Sequence, residues 1–272
     1  MSTASSPITP KSDPPGEEEV SLFVREDSVV RKIWGKSDTI LFIFAGAAAE
    51  FALNKAVDWL YFTGRLPADP IGRLFSTVRY AGRIVFSPEE EAGRTLEAMR
   101  QIHVSVENQR GASIPDWAYR DVLFMLIHYS IAAYELLERK LTDAEKEEVY
   151  NVFFRVGTGM GLYSLPYSYS AWLPVRQAHM QQDLQTSEYT KDLFRQYRKH
   201  LGAARYRILI ESQKLVVPAE VYAMLQFDGQ RWLAPWVPLY KLSRLIKADR
   251  IIKALLLPST YRVEINQLDV VR

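Results

Sequence analysis

The stretch DWAYRDVLFMLIHYSIAAYELLER, residues 116–139, decides the fold class. Its centre, Val122 to Ala133, is almost wholly apolar. That pattern predicts a long helix at the middle of a core. Working outward, helix signals follow one another and strand signals are weak. Asp38 to about Tyr61 is apolar on nearly every face, with Asp38 as a candidate N-cap, and predicts a second buried helix. Gly64 and Pro67 break the chain, and Pro70 suits the first turn of the next helix. Ser87-Pro88-Glu89-Glu90 reads as a capped start, and Thr142-Asp143-Ala144-Glu145 as a capping box. Helices over about Glu188–Leu215 and Pro218–Gln226 follow. Trp232–Leu257 reads as a loop and one amphipathic helix, packed on the body or serving as a lid. The expectation is an all-α, single-domain helical bundle over residues 20–272, after a disordered tail at 1–19 rich in Ser, Thr, Pro, Gly and Glu.

Composition narrows the function classes. The chain has 34 basic and 32 acidic residues, so its net charge of +2 offers no electrostatic reason to bind nucleic acid or an anionic membrane. It has no cysteine, which excludes disulfides, iron–sulfur clusters, thiolate-ligated or covalently attached haem and cysteine nucleophiles. The first residues lack the basic-then-apolar layout of a signal peptide, and Ile40 to Ala49 falls short of the roughly 20 apolar residues needed to span a bilayer. The expected location is cytoplasmic. Val156-Gly157-Thr158-Gly159-Met160-Gly161 does not fit a dinucleotide loop and reads as a glycine-loosened helix end. No serine-hydrolase elbow or phosphate loop is present.

Of the four histidines, two carry information. Ala92, Leu96, Met99, His103 and Val106 recur at steps of four and three, so His103 lies in line with a core-facing stripe. An imidazole there needs a hydrogen-bond partner or a metal. His128 sits within the central apolar helix and admits the same two readings. His179 and His200 lie among polar residues and are expected to be solvated. Without a third ligand or an H-E-x-x-H pair, zinc is a weak hypothesis, whereas haem needs only one neutral histidine. In the run Asp69 to Thr77, Arg73 and Thr77 share a helix face. A cation and a hydroxyl so placed suit a carboxylate or propionate, although a surface arginine near a helix start would look the same.

Taken in order, DPIGRLFST (69–77), MRQIHVSV (99–106), LFMLIHYSIAAYE (123–135), FRVGTGMGLYSLP (154–166) and LLLPSTYR (255–262) resemble the haem-dependent oxygenase family of latex-clearing protein (rubber oxygenase) and the mycophenolic acid biosynthesis oxygenase. The resemblance implies an all-α fold around haem b, with His103 as the proximal iron ligand. It places Arg73, Thr77 and, secondarily, His128 at the haem pocket. A catalytic acid expected in the first buried helix would be Glu50 or Asp58. Two departures stand out: Ser76 occupies the position of a distal lysine of rubber oxygenases, and the upstream His-Pro pair has no counterpart. The expected activity is a haem-b-dependent oxidoreductase using oxygen or peroxide on a small, largely apolar substrate. The alternatives are a non-catalytic haem or apolar-ligand carrier and a cofactor-free helical interaction domain.

Overall fold

A computed structural model describes residues 21–245, among which the chain forms twelve α-helices, one 3₁₀ turn and no strand. In order these are α1 (Val29–Trp34), α2 (Ser37–Phe51), α3 (Val57–Phe62), α4 (Arg65–Ala68), α5 (Pro70–Phe86) and α6 (Glu89–Arg110). There follow α7 (Asp116–Leu137), α8 (Asp143–Gly159), α9 (Tyr169–Asp183), α10 (Glu188–Val216), α11 (Ala219–Met224), the 3₁₀ turn Ala234–Trp236 and α12 (Val237–Leu245). The tail expected at 1–19 and the end of the expected Trp232–Leu257 segment lie outside the described residues.

The central apolar run forms α7, which buries Phe124, Ile127, Tyr129, Ile131 and Leu137. α2 packs along it, α10 covers α2, and α8 and α9 close further sides of α7. α5 and α6 pair with each other, and α6 also leans on α8. The approach of α2 to α7 is set by Gly46. A Cβ at that position would lie 2.2 Å from the Tyr129 ring, which is itself wholly buried. Trp34 on α1 joins the same core by donating to Ser130 on α7 (3.2 Å).

Several element ends follow the chemistry expected of them. Asp69 caps α5, its carboxylate accepting from the Gly72 amide (2.8 Å), with Pro70 in the first turn. Thr142 and Glu145 form the full capping box of α8, and the glycine-loosened stretch does end that helix. Elsewhere tertiary structure intervenes. The single helix expected over Asp38–Tyr61 divides into α2 and α3. Asn54 turns its side chain onto the Ala56 amide (2.8 Å), and Leu53–Lys55 pairs with Asp183–Gln185 through Lys55 N–Asp183 O (2.9 Å) and Gln185 N–Leu53 O (2.7 Å). Backbone groups committed to a neighbouring segment cannot continue a helix. Asp38 lies inside α2, after Ser37, and not at its cap. Ser87 likewise does not cap α6, because its carbonyl accepts from Phe23 and Pro88 takes the capping position. α9 has no counterpart among the sequence expectations: its composition is mixed and Pro174 falls inside it.

Because the Tyr129 ring cannot retreat, Gly46→Ala is expected to destabilise the protein by about 2 kcal/mol or more. Gly93→Ala, at an exposed helical position with open space around it, should instead stabilise by up to about 1 kcal/mol. Paired urea unfolding curves measure both.

Candidate functional site

The stripe predicted on α6 is present: Ala92 and Leu96 are buried, Met99 is partly buried, and His103 is half-buried at its continuation. α5 lies alongside and brings Arg73 close enough for its charge to act on the imidazole. Burial first, and Arg73 second, hold the His103 pKa below the ordinary histidine value, against weaker opposing pulls from the Met99 carbonyl and Glu107. The ring is therefore neutral at neutral pH. Among the described residues its buried Nδ1 has no close hydrogen-bond partner, and Tyr119 of α7 meets the ring edge-on at 5.2 Å.

Arg73 is unusual in its own right. Desolvation lowers its pKa and the Arg65 charge lowers it further, while among the described residues no carboxylate pairs with it. Thr77 is turned onto its own helix, donating to the Arg73 carbonyl (3.2 Å), and Ser76 donates to the same oxygen (2.7 Å). Asp58 reaches the far end of the same α6 face. It pairs with Arg110 (2.7 Å), seven residues beyond His103, and that guanidinium lies 4.0 Å over the Trp59 ring. The adjoining stripe of α7 is incompletely covered, with Tyr119 and Leu126 half-buried and Val122 39% exposed; Ile102 beside His103 is 38% exposed. Val122, the first residue of the apolar run expected at the core, is thus on the open side of the helix.

Glu50 and His128 occupy a different place. Glu50 is wholly buried, accepts from Tyr129 Oη (2.8 Å) and forms an ion pair with Arg176 of α9. His128 lies within reach of Arg176, Glu50 and the Val216 carbonyl. Nine residues of α7 separate Tyr119 from His128, about 13 Å along the helix axis. The six residues selected from sequence thus divide: His103, Arg73 and Thr77 share the α5–α6 face, Asp58 touches its margin, and Glu50 and His128 belong to a separate internal network.

An apolar cavity of about 490 Å³ lies elsewhere again, between α2, α10 and α12. Leu41, Phe42, Leu209, Leu215, Trp236 and Val237 are among its walls, and none of its lining residues comes from α5 or α6. It meets α7 at Leu137, about 27 Å along the axis from Tyr119.

A family model described as ER-bound oxygenase mpaB/B'/rubber oxygenase, catalytic domain, matches residues 32–250. The chain belongs to this oxygenase family. Neither the curated proteins nor the solved structures include a match. Among the described residues, no helix of this oxygenase domain is long and apolar enough to cross a membrane.

Sequence reasoning missed the partners that give these groups their chemistry. Tyr119 and Arg176 stood outside every motif it weighed. His179, expected to be solvated, instead contacts Asp121 and lies 3.4 Å from Asp183. The spacing of Arg176, His179 and Asp183 at steps of three and four carried the missing signal, one face of a helix.

His128 generates a pH prediction. Burial first and Arg176 second push its pKa from near 6.5 down to about 4. As pH falls, the unfolded chain takes up this proton before the folded one does. Stability is therefore intact above about pH 6.5, declines between about 6.5 and 4, and levels off below. A small part of the side chain reaches solvent, which reduces the expected loss to about 2 kcal/mol. His128→Leu should remove this share of the slope in urea midpoints measured across that window.

Proposed function

We propose that this oxygenase domain binds haem b at the α5–α6–α7 face and oxidises a small, largely apolar substrate with oxygen or peroxide. One observation carries the reading. Among the described residues, a neutral, half-buried imidazole whose buried Nδ1 has no close hydrogen-bond partner stands beside a desolvated arginine with no paired carboxylate. Iron accepts a neutral imidazole, and a haem propionate is the planar anion that a guanidinium fork fits. The exposed Ile102 and Val122 and the half-buried Leu126 supply surface for a flat apolar ring system. Haem bound there would supply the oxygen chemistry itself.

In this reading each residue has a distinct task. His103 ligates iron. Burial keeps it unprotonated, and Arg73 both pairs with a propionate and disfavours the imidazolium. Tyr119 holds the imidazole ring edge-on. Thr77 donates to the Arg73 carbonyl and so serves the helix that carries Arg73. Of the two candidate acids, Asp58, paired with Arg110, lies at the margin of the His103 face and is the one nearer the cofactor. Glu50 and His128 act as positioning groups through α7.

Absorption spectroscopy of the purified chain, with haem reconstitution, tests this. The wild type should show a Soret band that His103→Ala removes or strongly shifts and that added imidazole restores. Arg73→Ala should retain the band and weaken haem retention about tenfold. A Soret band unchanged in His103→Ala overturns the ligand assignment. The absence of any band after reconstitution overturns the haem reading and returns the α6 face to a packing role.

A further inference from the structure

His179 and Asp183 stand one turn apart on α9, and Asp121 reaches them from α7. One donor atom from each lies within 4.8 Å of the other two. His179 Nδ1 is 3.4 Å from Asp183 Oδ2 and in hydrogen-bond contact with Asp121 Oδ1. Their side chains are 13%, 15% and 3% exposed, in that order, so water screens their charges poorly.

The cluster carries a charge deficit. Two carboxylates face one imidazole, and among the described residues no lysine or arginine comes within ion-pair distance of either. Arg176 acts on Asp121, and Lys55 and Arg120 on Asp183, only from farther off. The supports around the cluster are those a metal site needs. Asn54 donates to Asp121 Oδ2 (2.6 Å), which leaves Oδ1 directed at the centre, and Asn54 is itself held by the Ala56 amide. The backbone pairing of Lys55 with Asp183 and of Gln185 with Leu53 fixes the end of α9 against the same turn. Phe124 closes one side edge-on to His179 at 5.2 Å, and the partial exposure of His179 and Asp183 leaves a way in for an ion.

We propose that Asp121, His179 and Asp183 bind a divalent transition-metal ion, with Mn²⁺, Fe²⁺ and Zn²⁺ the ions that fit, in a site that ties α7 to α9. One imidazole nitrogen and two carboxylate oxygens suit hard-to-borderline ions, and ligands about 2.1 Å from a metal stand about 3.3 Å apart, the present His179–Asp183 separation. On binding, Asp121 and His179 would separate by about 0.8 Å from their present hydrogen-bond contact, with release of the proton between them. Three protein ligands leave the remaining positions to water, so this is an open site. It is independent of the haem reading. Asp121 follows Tyr119 by two residues, about 200° around α7, so the two centres lie on opposite sides of one helix.

The test uses the full chain stripped with a chelator and titrated with Mn²⁺, the free ion being followed by electron paramagnetic resonance, and separately with Zn²⁺ by calorimetry. The expected result is one ion per chain, with nitrogen coupling from an imidazole in the Mn²⁺ form and a melting temperature raised by Zn²⁺. His179→Ala and Asp183→Asn should each weaken binding by about 10- to 100-fold. His103→Ala should leave it unchanged. Asp183→Asn keeps the His179–Asp121 hydrogen bond, so it remains informative if His179→Ala unfolds. Failure of both ions to bind, binding insensitive to His179→Ala and Asp183→Asn, or binding lost in His103→Ala would each overturn the proposal and leave a hydrogen-bonded staple between two helices.

Discussion

The ion pair of Glu50 with Arg176 holds the interior together. Glu50 is wholly withdrawn from water on α2, and Arg176 is only 4% exposed on α9. Removing two such charges from water costs several kcal/mol per ion, and the cost is recovered only when both are paired and hydrogen-bonded. Tyr129 supplies a further bond from α7, so three helices must meet in one arrangement for the charges to be tolerated. Gly46 permits that arrangement, since any side chain there would hold α2 away from the Tyr129 ring.

With α9 so placed, α7 becomes a wall between two differently furnished sides. One side presents Tyr119, Val122 and Leu126 toward the α6 face that carries His103, and the chain does not cover it completely. The other presents Asp121 and Phe124 to His179. The helix is apolar enough to fold as a core element, yet its first half places side chains against both α6 and α9.

Much of this was legible in the residues. The apolar run of α7, the capping box at Thr142 and Glu145, and the Asp69–Pro70 start of α5 rest on local chemistry that no distant contact overrides. The placement of His103 on the core-facing stripe of α6 is likewise a matter of spacing along one helix. The break at Asn54 was not legible, because it depends on a backbone pairing with Asp183–Gln185, some 130 residues later in the chain. His179 was misjudged for the same reason. Its sequence neighbours are polar, but its spatial neighbours are Asp121 and Phe124.

The sequence by itself determined the all-α class, the central helix, the cysteine-free chemistry and the motifs by which the chain is recognised as an oxygenase. Those properties follow from periodicity, capping and composition, which are local. Only the tertiary structure decided that Glu50 and His128 part company with His103, that Arg73 stands without a paired carboxylate among the described residues, and that Asp121, His179 and Asp183 converge. Charge pairing and desolvation depend on distances between helices, and a linear pattern does not contain those distances.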